Sequence, residues 1–225
     1  GVKLFNKLGY GLVKITSVEL LYPCPSMISY NIPACTSQSQ KNGDYTFGLL
    51  DDKTGLVEDI TIPRITPGIL KGQDIKKGAF FEPGIYCVTS DIKLVSDYVL
   101  KGDGILLYFM NQASMDIGAD GTIQFTPYVD LPPTKPGSLN NLLLYAPITN
   151  NATFKWNGNS QSYFSGSIVT PGSLFMLNGT GFEGGTLTQI IADMVGWGGT
   201  SDGFIIYDDN AISHPTLPAE IELVH

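Results

Sequence analysis

Short apolar runs separated by Gly- and Asn-rich punctuation recur from about Gly78 to Asp209, and runs of this length predict strands rather than helices. Three of the punctuating segments align: Trp156-Asn157-Gly158-Asn159-Ser160, Leu177-Asn178-Gly179-Thr180-Gly181 and Trp197-Gly198-Gly199-Thr200-Ser201. The glycines at their third positions are spaced 21 and 20 residues apart. A second apolar segment lies between successive copies, first Gly166-Ser167-Ile168-Val169 and then Gln189-Ile190-Ile191-Ala192. A looser copy is Met115-Asp116-Ile117-Gly118, preceded by Ile105-Leu106-Leu107-Tyr108, which Leu142-Leu143-Leu144-Tyr145 echoes.

A unit of about 20 residues cannot bury its own apolar side or pair its own strand edges, so such units are stable only when stacked. Stacking as turns of a coil supplies parallel hydrogen bonds and an interior of Ile, Leu, Val and Phe, with Gly and Asn at the corners. The pattern therefore predicts an all-β protein built as a right-handed parallel β-helix. The alternative is an antiparallel β-sandwich or jelly roll, in which Asn157-Gly158 and Asn178-Gly179 are hairpin tips. Three regions follow: strands and a loop-rich cap over 1–77, β-helical rungs over 78–210 and a C-terminal extension over 211–225. Within the cap, Leu12–Thr16 and Val18–Tyr22 read as leading strands. Pro, Ser, Gln and Gly between Cys24 and Gly78 read as loops with short edge strands.

Composition agrees with strands: Gly 26, Pro 14, Tyr 11 and Phe 11 stand against one arginine, Arg64. A net charge of −8, spread over scattered Asp residues, repels phosphate backbones and argues against nucleic acid as a partner. No run of about 18 apolar residues is present, so no membrane span is expected within the chain. Gly1 stands where an initiator Met would, so the chain reads as a processed or excised piece whose anchor lies elsewhere.

Cys24 and Cys35 bracket a loop containing Pro25 and Pro33, and a disulfide between them is expected in an exported protein. Cys87, within Ile85-Tyr86-Cys87-Val88, reads as a buried small apolar residue or as a partner for one of the other two.

The chain offers little for catalysis. Its histidines, His214 and His225, lie in a Pro-rich tail, and no nucleophile elbow, phosphate loop or zinc-hydrolase motif occurs. The carboxylate pairs Asp116 with Asp120 and Asp193 with Asp202 could share a corner of a coil, as glycosidases require. Asp is equally a preferred turn residue, and lyase chemistry also wants a cation that Arg64, outside the predicted rungs, does not supply. Catalytic, cofactor-binding and metal residues are thus read as none. Ca2+ is the one cofactor considered, on Asp51-Asp52, Asp208-Asp209 and Asp116 with Asp120. Tyr108, Tyr145, Trp156, Tyr163 and Trp197 are candidates for stacking on sugar rings if they point outward, and are rung packing if they do not. Asn151-Ala152-Thr153 and Asn178-Gly179-Thr180 match the glycosylation sequon and mark exposed turns at most.

Phe81-Glu82-Pro83-Gly84-Ile85-Tyr86-Cys87, followed by Val99 to Tyr108, resembles the corresponding steps of bacterial TadG-like, Flp pilus-assembly-like, secreted proteins. Leu142–Pro147, Phe164–Pro171 and Thr188–Asp193 are similar to later rungs of that family, so the likeness covers roughly residues 78–208. The resemblance implies an exported envelope or surface protein without a known catalytic site. The expected function is that of a non-enzymatic, secreted structural or scaffolding protein of the bacterial surface or an extracellular appendage, self-associating through β edges. Alternatives are a glycan-binding adhesin or polysaccharide-processing enzyme on the same scaffold, and a viral spike or capsid component.

Overall fold

In the computed structural model, residues 29–50, 54–95, 98–118, 121–129, 139–159, 161–179, 186–198, 205–206 and 212–213 are described. Among the described residues fourteen strands join one sheet, and the sheet is wound into a parallel β-solenoid of about five turns. The strands are β1 (Lys41–Leu50), β2 (Val57–Ile65), β3 (Gly68–Leu70), β4 (Gly78–Phe81), β5 (Gly84–Val88), β6 (Ile92–Leu94) and β7 (Val99–Phe109). They continue as β8 (Met115–Ile117), β9 (Thr122–Pro127), β10 (Leu142–Tyr145), β11 (Thr153–Gly158), β12 (Tyr163–Gly179), β13 (Thr186–Gly198) and β14 (Ile205–Ile206).

The coil has three faces. Face A stacks the end of β2, β4, the first half of β7, β9 and the start of β12. Face B stacks β3, β5, the second half of β7, β10, the middle of β12 and β13. Face C stacks β6, β8, β11 and the ends of β12 and β13. The aligned sequence copies are true register partners: Trp156 pairs with Leu177 and Leu177 with Trp197, and Ile168 pairs with Ile190. Asn157-Gly158 and Asn178-Gly179 are neighbours in parallel strands, not hairpin tips, which excludes the antiparallel sandwich.

Alternation along each strand sends every second side chain inside, where the stacks are apolar and close-packed. On face C, Ile92, Met115, Phe154 and Phe175 form one buried column and Leu94, Ile117, Trp156 and Leu177 the next. On face A the column runs Ile65, Phe81, Gly102, Phe125, Phe164. Gly102 lacks a side chain, and the rings of Phe81 and Phe125 meet across the gap at 5.7 Å, edge to face. A Cβ on Gly102 would lie 2.9 Å from that of Phe81, so the glycine is a packing choice. Gly78 has a different role. Its φ of 95° turns the chain into face A, and a side chain there would strike the Val99 carbonyl at 2.4 Å.

Buried polar groups sit at the corners, where the ladder is interrupted. Asn150 donates from Nδ2 to the Ala113 carbonyl at 2.9 Å, and its own carbonyl accepts from Ser173 Oγ at 2.6 Å. The Ser162 hydroxyl accepts from the Ile123 amide at 3.0 Å. These bonds satisfy groups that the strands leave unpaired and fix the bend angle of each turn.

Three expectations for the N-terminal part of the chain need correction. The stretch expected to hold loops and short edge strands contains β1 and β2, of 10 and 9 residues, paired as an antiparallel hairpin. The coil also begins before Gly78, since Arg64 pairs with Phe80 and Gly68 with Tyr86 in parallel. Pro67 misleads because β2 ends at Ile65, so that it falls in the corner between strands, where no ladder donor is needed; Pro63 lies within β2, opposite Asp44 at the register break of β1. The disulfide joins Cys35 to Cys87, not to Cys24, which lies outside the described residues, as do residues 1–22.

Candidate functional site

With the inward columns committed to the core, interaction chemistry is confined to the outward columns and the two coil ends. On face B the outward column is itself apolar: Ile69, Cys87, Tyr108, Tyr145, Val169 and Ile191 stand one above another. It is covered by the segment carrying Tyr30 and Ile32 and by Leu139. The Tyr30 ring meets Tyr145 edge-on at 5.2 Å, and Tyr108 stacks on the other side at 5.7 Å. The covering segment joins the coil as a strand would, with the Ser39 amide donating to the Ile69 carbonyl at 2.9 Å and the Ile69 amide to the Ser37 carbonyl at 2.8 Å. Burial pushes the Tyr30 phenol up to about 12 and raises Tyr145 in the same direction.

Outside face A runs the column Arg64, Phe80, Lys101, Gln124, Tyr163. The β1 hairpin lays two rings over its first members. Tyr45 stacks on Phe80 at 3.9 Å, the Arg64 guanidinium lies 5.7 Å from the Tyr45 ring centre, and Lys101 Nζ lies 5.5 Å from that of Phe47. Lys101 Nζ also donates to Gln124 Oε1 at 3.0 Å, and Arg64 sits 3.9 Å from Glu82. Arg64, expected outside the rungs, is thus part of the first one. Nothing short of the strand register tells that Tyr45, on β1, would reach Phe80 on β4.

The five aromatics separate by what covers them rather than by parity alone. Trp156 is fully buried, in contact with Phe125, Phe164 and Phe175, and Tyr145 is buried beneath Tyr30, so neither presents a face to a sugar. Tyr108 is part of the same covered cluster. Tyr163 and Trp197 remain exposed, at 42% and 44%. They lie on different faces and make no joint platform. Asp116 stands on the outside of face C, level with Lys93 and Lys155. Asp51, Asp52, Asp120, Asp202, Asp208, Asp209, His214 and His225 lie outside the described residues. Among the described residues no three His, Cys, Asp or Glu side chains gather as a metal site would need. Of the sequons, Asn151 is exposed, whereas Asn178 pairs with Asn157 and Gly198 within the sheet.

Among the described residues the first and last rungs differ in exposure. At the first, the inward residues Ile65, Leu70 and Ile75 are all buried, because β1, the segment 37–39 and a tight turn over 72–75 close the three faces. At the other, the face C columns emerge. Phe175 and Leu177 are buried, whereas Val195 and Trp197, one rung further on, are 50% and 44% exposed. Among the described residues only Thr186 and Leu187 of β13 have a strand on their far side. Comparison with protein-family models, with curated proteins and with solved structures yields no match for this chain.

Proposed function

We propose that this chain is an exported structural scaffold of the bacterial cell surface or an extracellular appendage, acting through shape and assembling through its strand edges. One observation carries the reading: the Cys35–Cys87 disulfide fastens a covering segment onto the outside of a continuously packed coil. Disulfides persist in oxidising compartments, and a coil braced inside and out is a stiff rod. The similarity of residues 78–208 to TadG-like secreted proteins belongs to the same reading. The test is immunogold electron microscopy on the producing cells, with fractionation under non-reducing conditions. Label on surface structures, together with an intact Cys35–Cys87 linkage, supports the proposal; label confined to the cytoplasm, with both thiols free, sinks it.

Glycan binding is a second reading, favoured by exposed Tyr163 beside Gln124 and Lys101 on the outside of face A. A glycan array without binding, and polysaccharides without new reducing ends, would remove it.

A further inference from the structure

Asn-Gly occurs at Asn42-Gly43, Asn157-Gly158 and Asn178-Gly179, and the fold holds the three differently. This dipeptide carries a reaction of its own. The backbone nitrogen of the glycine attacks the asparagine Cγ, since glycine puts no side chain in the way and leaves the backbone free to turn. A C–N bond forms, the side-chain nitrogen leaves as ammonia, and water opens the cyclic succinimide to aspartate or isoaspartate. The fold decides whether the attacking nitrogen and Cγ can be brought together.

Asn157 and Asn178 are held against it. They pair with each other in the parallel ladder of face C, Gly158 pairs with Gly179, and Asn178 pairs on its other side with Gly198. Asn157 Nδ2 also donates to the Ile117 carbonyl, and both asparagines are half-buried. Attack at either site requires the coil to open first. Asn42 is placed otherwise. Lys41 pairs with Ile65 and Asp44 with Pro63, so Asn42 and Gly43 together face the single residue Arg64, the two-against-one of a β-bulge. Asn42 is exposed, Gly43 has a φ of 75°, and a Cβ on Gly43 would meet nothing within 4 Å. Among the described residues β1 pairs only with β2, so no second ladder restrains the bulge. The Asn42 side chain makes one tether: Nδ2 donates to Glu82 Oε1 at 3.0 Å, across 40 positions of sequence.

We propose that Asn42 is a site of spontaneous deamidation, and that its conversion unties β1 from the coil. The product carries a carboxylate where the amide donated, so Glu82 loses a donor and gains a like charge at the same place. Arg64, already within 3.9 Å of Glu82, offsets one of the two charges. The strand released is the one that lays Tyr45 over Phe80 and Phe47 beside Lys101, so the cover on the outer column of face A loosens as the protein ages.

Incubation of the full oxidised chain at mildly alkaline pH, followed by peptide mass spectrometry, reads the three sites side by side. Asn42 should convert at least about tenfold faster than Asn157 and Asn178, which react only through local opening. In denaturant the three rates should converge, which assigns the difference to the fold. Asn42→Gln, which keeps an amide but needs a larger ring, should stay unconverted. Asn42→Asp should speed amide exchange over Tyr45–Phe47 by at least about threefold. Equal native rates at the three sites, faster conversion at Asn157 or Asn178, or an Asn42 that stays intact while the denatured chain converts, each overturn the site. Unchanged exchange in Asn42→Asp overturns its effect on β1.

Discussion

Cys35 and Cys87 are disulfide-bonded across 52 positions of sequence, with Cα atoms 6.1 Å apart, and Cys87 occupies the outward column of face B directly above Ile69. The bond is a staple from the covering segment to the coil. Closing a loop of this length restricts the unfolded chain by about 4 kcal/mol in the chain-entropy treatment. Cys35→Ser with Cys87→Ser should lower unfolding stability by about 2–4 kcal/mol in denaturant titrations, and non-reducing peptide mapping should return the Cys35–Cys87 pair. An unchanged midpoint, or a Cys24–Cys35 linked peptide, counts against this arrangement.

Parity along β11 and β12 sets a contrast between two aromatics. Trp156 touches three other rings inside the coil, while Tyr163 is exposed on face A. Trp156→Ala should cost about 3–5 kcal/mol through the cavity it leaves, and Tyr163→Ala about 0.5 kcal/mol or less. Equal losses at the two positions would contradict the inward and outward assignment.

Gly78 places the entry into β4 at a backbone angle that side chains resist, beneath the Val99 carbonyl. Gly78→Ala should destabilise the protein by on the order of 2 kcal/mol, measured as a shift of the thermal midpoint. Gly196→Ala, where the backbone is ordinary and the added carbon makes only van der Waals contact with the side chains of Met176 and Leu174, should leave that midpoint nearly unmoved.

The tyrosine cluster under the staple predicts alkaline sensitivity. Burial raises Tyr30 from the ordinary 10 to about 12, so the folded state holds the neutral phenol while the unfolded chain ionises first. This contribution is complete below pH 10 and is lost as pH rises from 10 toward about 12. For Tyr30 it amounts to about 3 kcal/mol, with Tyr145 and Tyr86 acting in the same direction. Melting temperature should fall across that window, and less steeply in Tyr30→Phe. A flat profile would mean that the phenol is solvated.

Much of the coil could be read from residue order because stacking rungs repeat one another's chemistry. Aligning Trp156, Leu177 and Trp197 by eye gives the register that the sheet adopts, and Leu107 and Tyr108 stand against Leu144 and Tyr145 as their likeness suggests. The first rung was not legible. Ile65 and Phe81 are stacked neighbours only 16 positions apart, and β2 also pairs on its other side with an antiparallel strand that has no counterpart in later rungs. Phe125 and Phe164 are adjacent after 39 positions, because β10 and β11 complete the turn between them and the link from Pro127 to Leu142 is long. A fixed period cannot find either pair.

The candidate surfaces divide in the same way. Sequence by itself determined the strand content and the residues that stack in the later rungs, the pattern from which a parallel coil is expected, since period-two alternation and a repeated unit are local properties. Tertiary structure alone decided which cysteine meets Cys87, that Tyr145 is covered while Tyr163 is not, and that Val195 and Trp197 are exposed where Phe175 and Leu177, one rung earlier, are buried. These depend on where a covering segment lands and on which rungs it reaches. Such contacts join residues of unrelated pattern, and no repeat along the chain records them.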